Sequence, residues 1–176
     1  MSNFAAWWTF CMNPNRDGQA NDGTTDGAGV TRWGWTYPTW CDAMRYVGQG
    51  DKANLTTFTA MTKEGAGTLA QAFIWDKNGG RQLAAGPDVC FIDWLWNSGR
   101  GGVEEIQQRL GFTGSDIDGV VGPMTLGRIA AMGPAAFVEN CYMWRVSFLN
   151  DLGYQHRFPG LYTRTADCRA LARTLL

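Results

Sequence analysis

The sequence predicts a mainly helical α+β domain with a Gly-rich loop or small hairpin after the first helix. Three observations lead there. Apolar residues recur at helical spacing through most of the 176 residues, and proline and glycine punctuate those runs. No stretch alternates apolar and polar residues for long, so any sheet is small. With 45% hydrophobic and 13% aromatic residues the chain can fill a sizeable core, and its length suits one domain over 1–176.

Taken in order, Ser2 is a fair N-cap for a helix over 3–12 that is apolar nearly all round. Asn13-Pro14 ends it, because the residue before proline avoids the helical region. Residues 13–31 hold five glycines or prolines and few apolar side chains, and they read as an irregular loop or short hairpin closed by Trp33-Gly34-Trp35. Helices are predicted over 39–47, 51–60 and 69–77, the last stopped by Asn78-Gly79-Gly80. Val89 to Asn97 is a strongly apolar helix expected at the centre, broken by Ser98-Gly-Arg-Gly-Gly102. Further helices are predicted over 103–110, from Pro123 to about Met132, over 134–150 and over 166–174.

Composition removes several function classes. Fifteen basic and 16 acidic residues give a net charge of −1 with no basic patch, so nucleic acid is not an expected partner. No run of 18 apolar residues exists, so stable membrane insertion is not expected. Phe4 to Met12 lacks a basic leader and a small-residue cleavage site, which predicts synthesis in the cytoplasm without a signal peptide. Cys11, Cys41, Cys90, Cys141 and Cys168 are odd in number and widely spaced, as buried thiols would be. With His156 alone and no ligand-spaced cysteines, neither metal nor organic cofactor is implied.

The segment that can carry chemistry runs from Asp17 to Trp35. Asp17, Asp26 and Thr31 place two carboxyls and a hydroxyl on one polar, Gly-rich stretch. Glycosidic cleavage needs a proton donor for the leaving oxygen, and a charge or a held water on the other face of the sugar. Trp33, Trp35 and Tyr37 follow closely and offer ring faces for sugar C–H groups, while Trp33 and Trp40 are equally good core residues. Asn97 closes the central helix with an amide that suits an N-acetyl group. Asp93 is expected to cap or to pair with an arginine inside the fold. Asp22 and Glu64 are alternative acids, Glu64 reading otherwise as a solvated charge. Glu104 and Glu105 read as an exposed first helical turn.

The spacing acid, eight residues, Asp26, four residues, Thr31, continued as Arg32-Trp33-Gly34, resembles the catalytic segment of the glycoside hydrolase family 108 muramidases. The similarity continues in Trp75, in Gly86-Pro-Asp88 and in Asp93-Trp-Leu-Trp-Asn97-Ser-Gly99. It is also seen in Ile106-Gln-Gln-Arg-Leu110, in Asp118-Gly-Val-Val-Gly122-Pro-Met-Thr125, and from Arg145 to Arg164. The resemblance implies a lysozyme-like fold, with a catalytic part over 1–100 and a helical part over 101–176 that contains a peptidoglycan-binding-like segment. It implies cleavage of the β-1,4 bond between N-acetylmuramic acid and N-acetylglucosamine. Asp17 would be the acid, with Asp26 and Thr31 on the sugar cation or the water. Asp17 stands where the family has Glu. The implied partners are peptidoglycan glycan strands in the periplasm or cell wall, reached by holin-dependent release in a phage, with the enzyme a monomer. A wall-binding relative that does not cut and a chitinase-like glycosidase are the alternative readings.

Overall fold

The computed structural model describes residues 3–18 and 29–176. Among these are eight α-helices and one two-stranded antiparallel sheet. They form two compact units, Phe4–Lys77 and Asn78–Leu176, with Asn3 belonging to the second. The division falls at the Asn78-Gly79-Gly80 helix stop. No helix among the described residues is long and apolar enough to cross a membrane.

The first unit contains α1 (Phe4–Cys11), β1 (Thr31–Arg32), β2 (Trp35–Thr36), α2 (Tyr37–Tyr46), α3 (Leu55–Thr59) and α4 (Lys63–Ala70). Eight residues are too few for a helix to persist alone in water. Packing holds α1 instead. Trp7 and Cys11 are fully buried, and the rings of Phe4 and Trp7 lie 5.8 and 5.6 Å from that of Trp75. A fully buried side chain of this size contributes roughly 1.5–3 kcal/mol. Pro38 starts α2, which buries Trp40, Cys41, Ala43 and Met44. Asn54 caps α3 by accepting from the Thr57 N–H, and Thr62 caps α4 by accepting from the Gly65 N–H. That Thr62 cap starts α4 six residues before the expected Leu69, and α4 runs on into a π-turn over Gln71–Asp76 that carries Trp75 into the core.

The second unit contains α5 (Pro87–Arg109), α6 (Pro123–Met132), α7 (Pro134–Asp151) and α8 (Pro159–Thr174). Each opens on proline, whose missing N–H costs nothing in a first turn. Val89, Phe91, Ile92 and Trp94 are fully buried, as expected for the central helix, and α5 packs on α7 and α8. The expected break also stands: Gly99 has φ 54° and ψ −140°, non-helical values inside α5. The last helix starts at Pro159, seven residues before the expected Ala166. All five cysteines are buried thiols, Cys90, Cys141 and Cys168 together at the meeting of α5, α7 and α8.

Candidate active site

The chain leaves α1 through a compact turn that ends on Asp17. Asp17 N–H donates to the Cys11 carbonyl at 3.1 Å, and the Arg16 and Gly18 N–H groups both donate to the Asn13 carbonyl. Orphan carbonyls at the end of α1 are thereby satisfied, the ordinary requirement at a helix C-terminus. Arg16 lays its guanidinium 3.9 Å from the centre of the Phe10 ring and donates to the Phe10 carbonyl. Lys63 reaches from α4 to the Met12 carbonyl. Asp17 is half-buried, and although Pro14 ends the helix, its backbone is tied to the last turn of α1.

Gly18 makes this geometry possible. A Cβ there would lie 2.2 Å from the Met12 carbonyl oxygen and 2.8 Å from the Asn13 carbonyl carbon. Both are backbone atoms that cannot rotate away. Sequence reading missed this residue; its one visible signal was a glycine directly after the candidate acid.

Thr31 lies in β1 and pairs with Thr36, while Arg32 pairs with Trp35. The connection is the two-residue loop Trp33-Gly34, with φ 50° and 79°. Positive φ at both central positions matches the twist of a tight hairpin, but that conformation is costly for a tryptophan. Trp33 is held there by its indole N–H, which donates to the Met61 carbonyl at 3.0 Å. Arg32 Nε donates to the same oxygen at 2.8 Å. Trp33 remains half-buried, and Tyr37 is half-buried against the rings of Trp40 and Phe58.

Trp35 is placed differently from the expected sugar platform. It is 1% exposed and donates to the Ala66 carbonyl, so its indole is core. Asp26 and the alternative acid Asp22 lie outside the described residues. Glu64 is exposed in the first turn of α4. Glu104 and Glu105 pair with Arg100 and Arg109 one helical turn away. A 530 Å³ apolar cavity in the first unit is lined by Trp40, Met44, Met61 and Leu69 among others, with no carboxylate among the described lining residues.

Asn97 belongs to the second unit. Its Oδ1 accepts from Arg145 Nη2 at 2.8 Å, while Arg145 Nη1 donates to Asp93 at 2.8 Å. Arg164 donates to the other side of Asp93 at 2.7 Å. Asp93 is fully buried and burial alone would raise its pKa, but the guanidiniums of Arg164 and Arg145 outweigh that and hold the carboxyl well below the usual carboxylate range. This is the internal arginine pairing expected of Asp93. The Asp118–Thr125 segment is likewise occupied internally. Gln107, 1% exposed, donates to Asp118 Oδ1, to the Val120 carbonyl and towards Thr125 Oγ1, and accepts from the Gly119 N–H. One buried amide organises that turn, a role sequence reading did not assign to it.

The family model described as Glycosyl hydrolase 108 matches residues 14–99, a span that contains Asp17, Asp26, Thr31, Trp33 and Asn97. The solved structure of Brucella abortus SagA is similar to it, with a TM-score of 0.79 and 26% sequence identity, covering 98% of this chain and 95% of that one. A comparison with curated protein sequences finds no match. The glycosyl hydrolase 108 match supports a glycoside hydrolase with a peptidoglycan-hydrolysing, muramidase-type function. The helices and short hairpin agree with the lysozyme-like α+β fold expected for such a protein.

Proposed function

We propose that this glycoside hydrolase is a muramidase that cleaves the β-1,4 bond between N-acetylmuramic acid and N-acetylglucosamine. The observation that carries this reading is that the family match begins at residue 14 and runs through the Asp17 turn and the Thr31–Thr36 hairpin. In mechanistic terms the Asp17 carboxyl donates a proton to the glycosidic oxygen as the bond to the anomeric carbon breaks. Asp26 stabilises positive charge on the sugar or orients the attacking water, and the Thr31 hydroxyl helps hold that water. Trp33 and Tyr37 are the stacking surfaces, and peptidoglycan strands are the partner. The reading extends to phage-mediated host lysis, in which the protein gains the wall through a holin pore and works as a monomer.

One feature favours a second reading, a wall-binding protein that does not cut. Asp17 has one methylene less than the Glu that the resemblance implies, a shortening of about 1.5 Å, and a misplacement of about 1 Å costs on the order of a hundredfold in rate. Clearance of stripped cell walls separates the two. Clearance by wild type, loss in Asp17→Asn and a gain in Asp17→Glu support cutting by this residue. Equal clearance by wild type and Asp17→Asn removes Asp17 from the role of acid. Sedimentation with walls and no clearance by any of the three establishes the binding reading. Mass spectrometry of released fragments shows which sugar carries the new reducing end, and excludes a chitinase-like preference if it is N-acetylmuramic acid.

A further inference from the structure

The second unit holds a pocket of about 270 Å³ that the hydrolytic chemistry above does not use. Its polar end is formed by Asn97, Ser98 and Arg145, and its walls by Phe148, Leu152 and Leu161 among others. It is smaller than the roughly 300–1,000 Å³ of sites for whole drug-sized molecules, so it fits a substituent better than a sugar pair.

The polar end has a defined hydrogen-bonding sense. A guanidinium only donates, so the Asn97 atom facing Arg145 Nη2 is its carbonyl oxygen. That contact fixes which way the Asn97 amide points and leaves Nδ2 as the group it can offer to a ligand. Arg145 itself is committed through Nη1 to Asp93 and through Nη2 to Asn97. The amide donor that Asn97 offers is uncharged, and its orientation is set by a side chain 4% exposed that the buried Asp93 anchors in turn. An uncharged donor beside a leucine and phenylalanine wall suits a carbonyl oxygen carried next to a small alkyl group.

We propose that this pocket binds a secondary amide with a small alkyl substituent, its carbonyl oxygen accepting from Asn97 Nδ2 and its alkyl group lying against Phe148, Leu152 and Leu161. Peptidoglycan presents such amides from two sources, the acetamido groups of the glycan and the alanyl units of the peptide stems. The inference rests on the muramidase reading only for the identity of the polymer that carries the amide.

The test uses the full chain and two soluble probes, chitotriose for the acetamido source and N-acetyl-D-alanine methylamide for the peptide source. Binding is followed through the Asn97 side-chain NH₂ resonance. The decisive variant is Asn97→Asp, which keeps an oxygen for Arg145 but turns the ligand-facing donor into an acceptor. Binding of either probe, with a shift of the Asn97 resonance and at least about a tenfold loss of affinity in Asn97→Asp, supports the site and names its source. Leu152→Trp, on the exposed rim, provides a second variant that fills the pocket and should weaken the same probe. An Asn97 resonance unmoved by both probes, or equal affinity in wild type and Asn97→Asp, overturns the proposal. Neither readout depends on wall clearance, so failure of the muramidase reading and failure of this pocket are separate results.

Discussion

Gly18→Ala tests whether the turn after α1 positions the acid. The added Cβ would stand 2.2 Å from the Met12 carbonyl oxygen, where real contacts of this kind do not fall below 3.0 Å. The backbone must therefore give by at least 3.0 − 2.2 = 0.8 Å. Neither φ at Gly18 nor a mobile side chain confuses the result, since Gly18 is not in the left-handed region and the obstructing atoms are backbone. Asp17 is the adjacent residue, and a displacement of about 1 Å at a reacting group costs on the order of a hundredfold. We expect wall clearance by Gly18→Ala to fall by about that factor. Thermal unfolding should shift by only about 1–3 kcal/mol, the usual cost of overpacking. Clearance at the wild-type rate in a folded Gly18→Ala protein would refute the reasoning, because either the turn then tolerates the shift or Asp17 does no chemistry.

Three further outcomes follow from the geometry. Asp93→Asn leaves two buried guanidiniums without their carboxylate and should cost about 3–5 kcal/mol, read as a melting temperature lower by on the order of 10 °C. The depressed pKa of Asp93 means that its contribution is present above the unfolded value of about 3.9 and is lost as pH falls further; Asp88, raised chiefly by burial, acts in the opposite direction. Urea midpoints measured from pH 7 down to pH 3 should therefore drop less in Asp93→Asn than in wild type, and parallel curves would remove Asp93 as the source. Gln107→Leu strips the partner from the Asp118–Thr125 turn and should cost about 1–3 kcal/mol in urea unfolding. Trp33→Gly relieves the positive φ and loses one hydrogen bond, each worth about 1 kcal/mol, so melting should move little while sedimentation with cell walls falls; unchanged sedimentation would make Trp33 a purely structural residue.

Much of the helical frame was readable because burial and punctuation agree. The central helix and its interruption show this best: a strongly apolar run from Val89, broken only by Asp93, was followed by glycines, and the interruption is real at Gly99. Where the reading slipped, the deciding interaction was short-range or tertiary. The final helix starts earlier because Pro159 opens it, while apolar content becomes dense only later. Among the described residues a hairpin lies at Thr31–Thr36, where Trp33 accepts a left-handed conformation in exchange for the Met61 carbonyl. Trp33-Gly34 does not carry the Asn-Gly or Asp-Gly signature by which such turns are found. At the site, residue types were visible and their constraints were not. Asp17 could be named from spacing, but its attachment to Cys11 and the space reserved at Gly18 are properties of the folded backbone. Trp35 illustrates the reverse, since sequence alone does not separate a stacking indole from a packed one.

The five buried thiols give the molecule an internal reporter of its own opening. Cys11 and Cys41 lie in the first unit, and Cys90, Cys141 and Cys168 in the second. The Cys141 contact pushes the Cys90 thiol further from ionisation, outweighing the opposite pull of Cys168, the Cys90 contact does the same to the Cys168 thiol, and burial adds to both, which suppresses alkylation while the core stays closed. A brief pulse of iodoacetamide during partial denaturation, followed by peptide mapping, would therefore mark each unit in the order in which it lets water in.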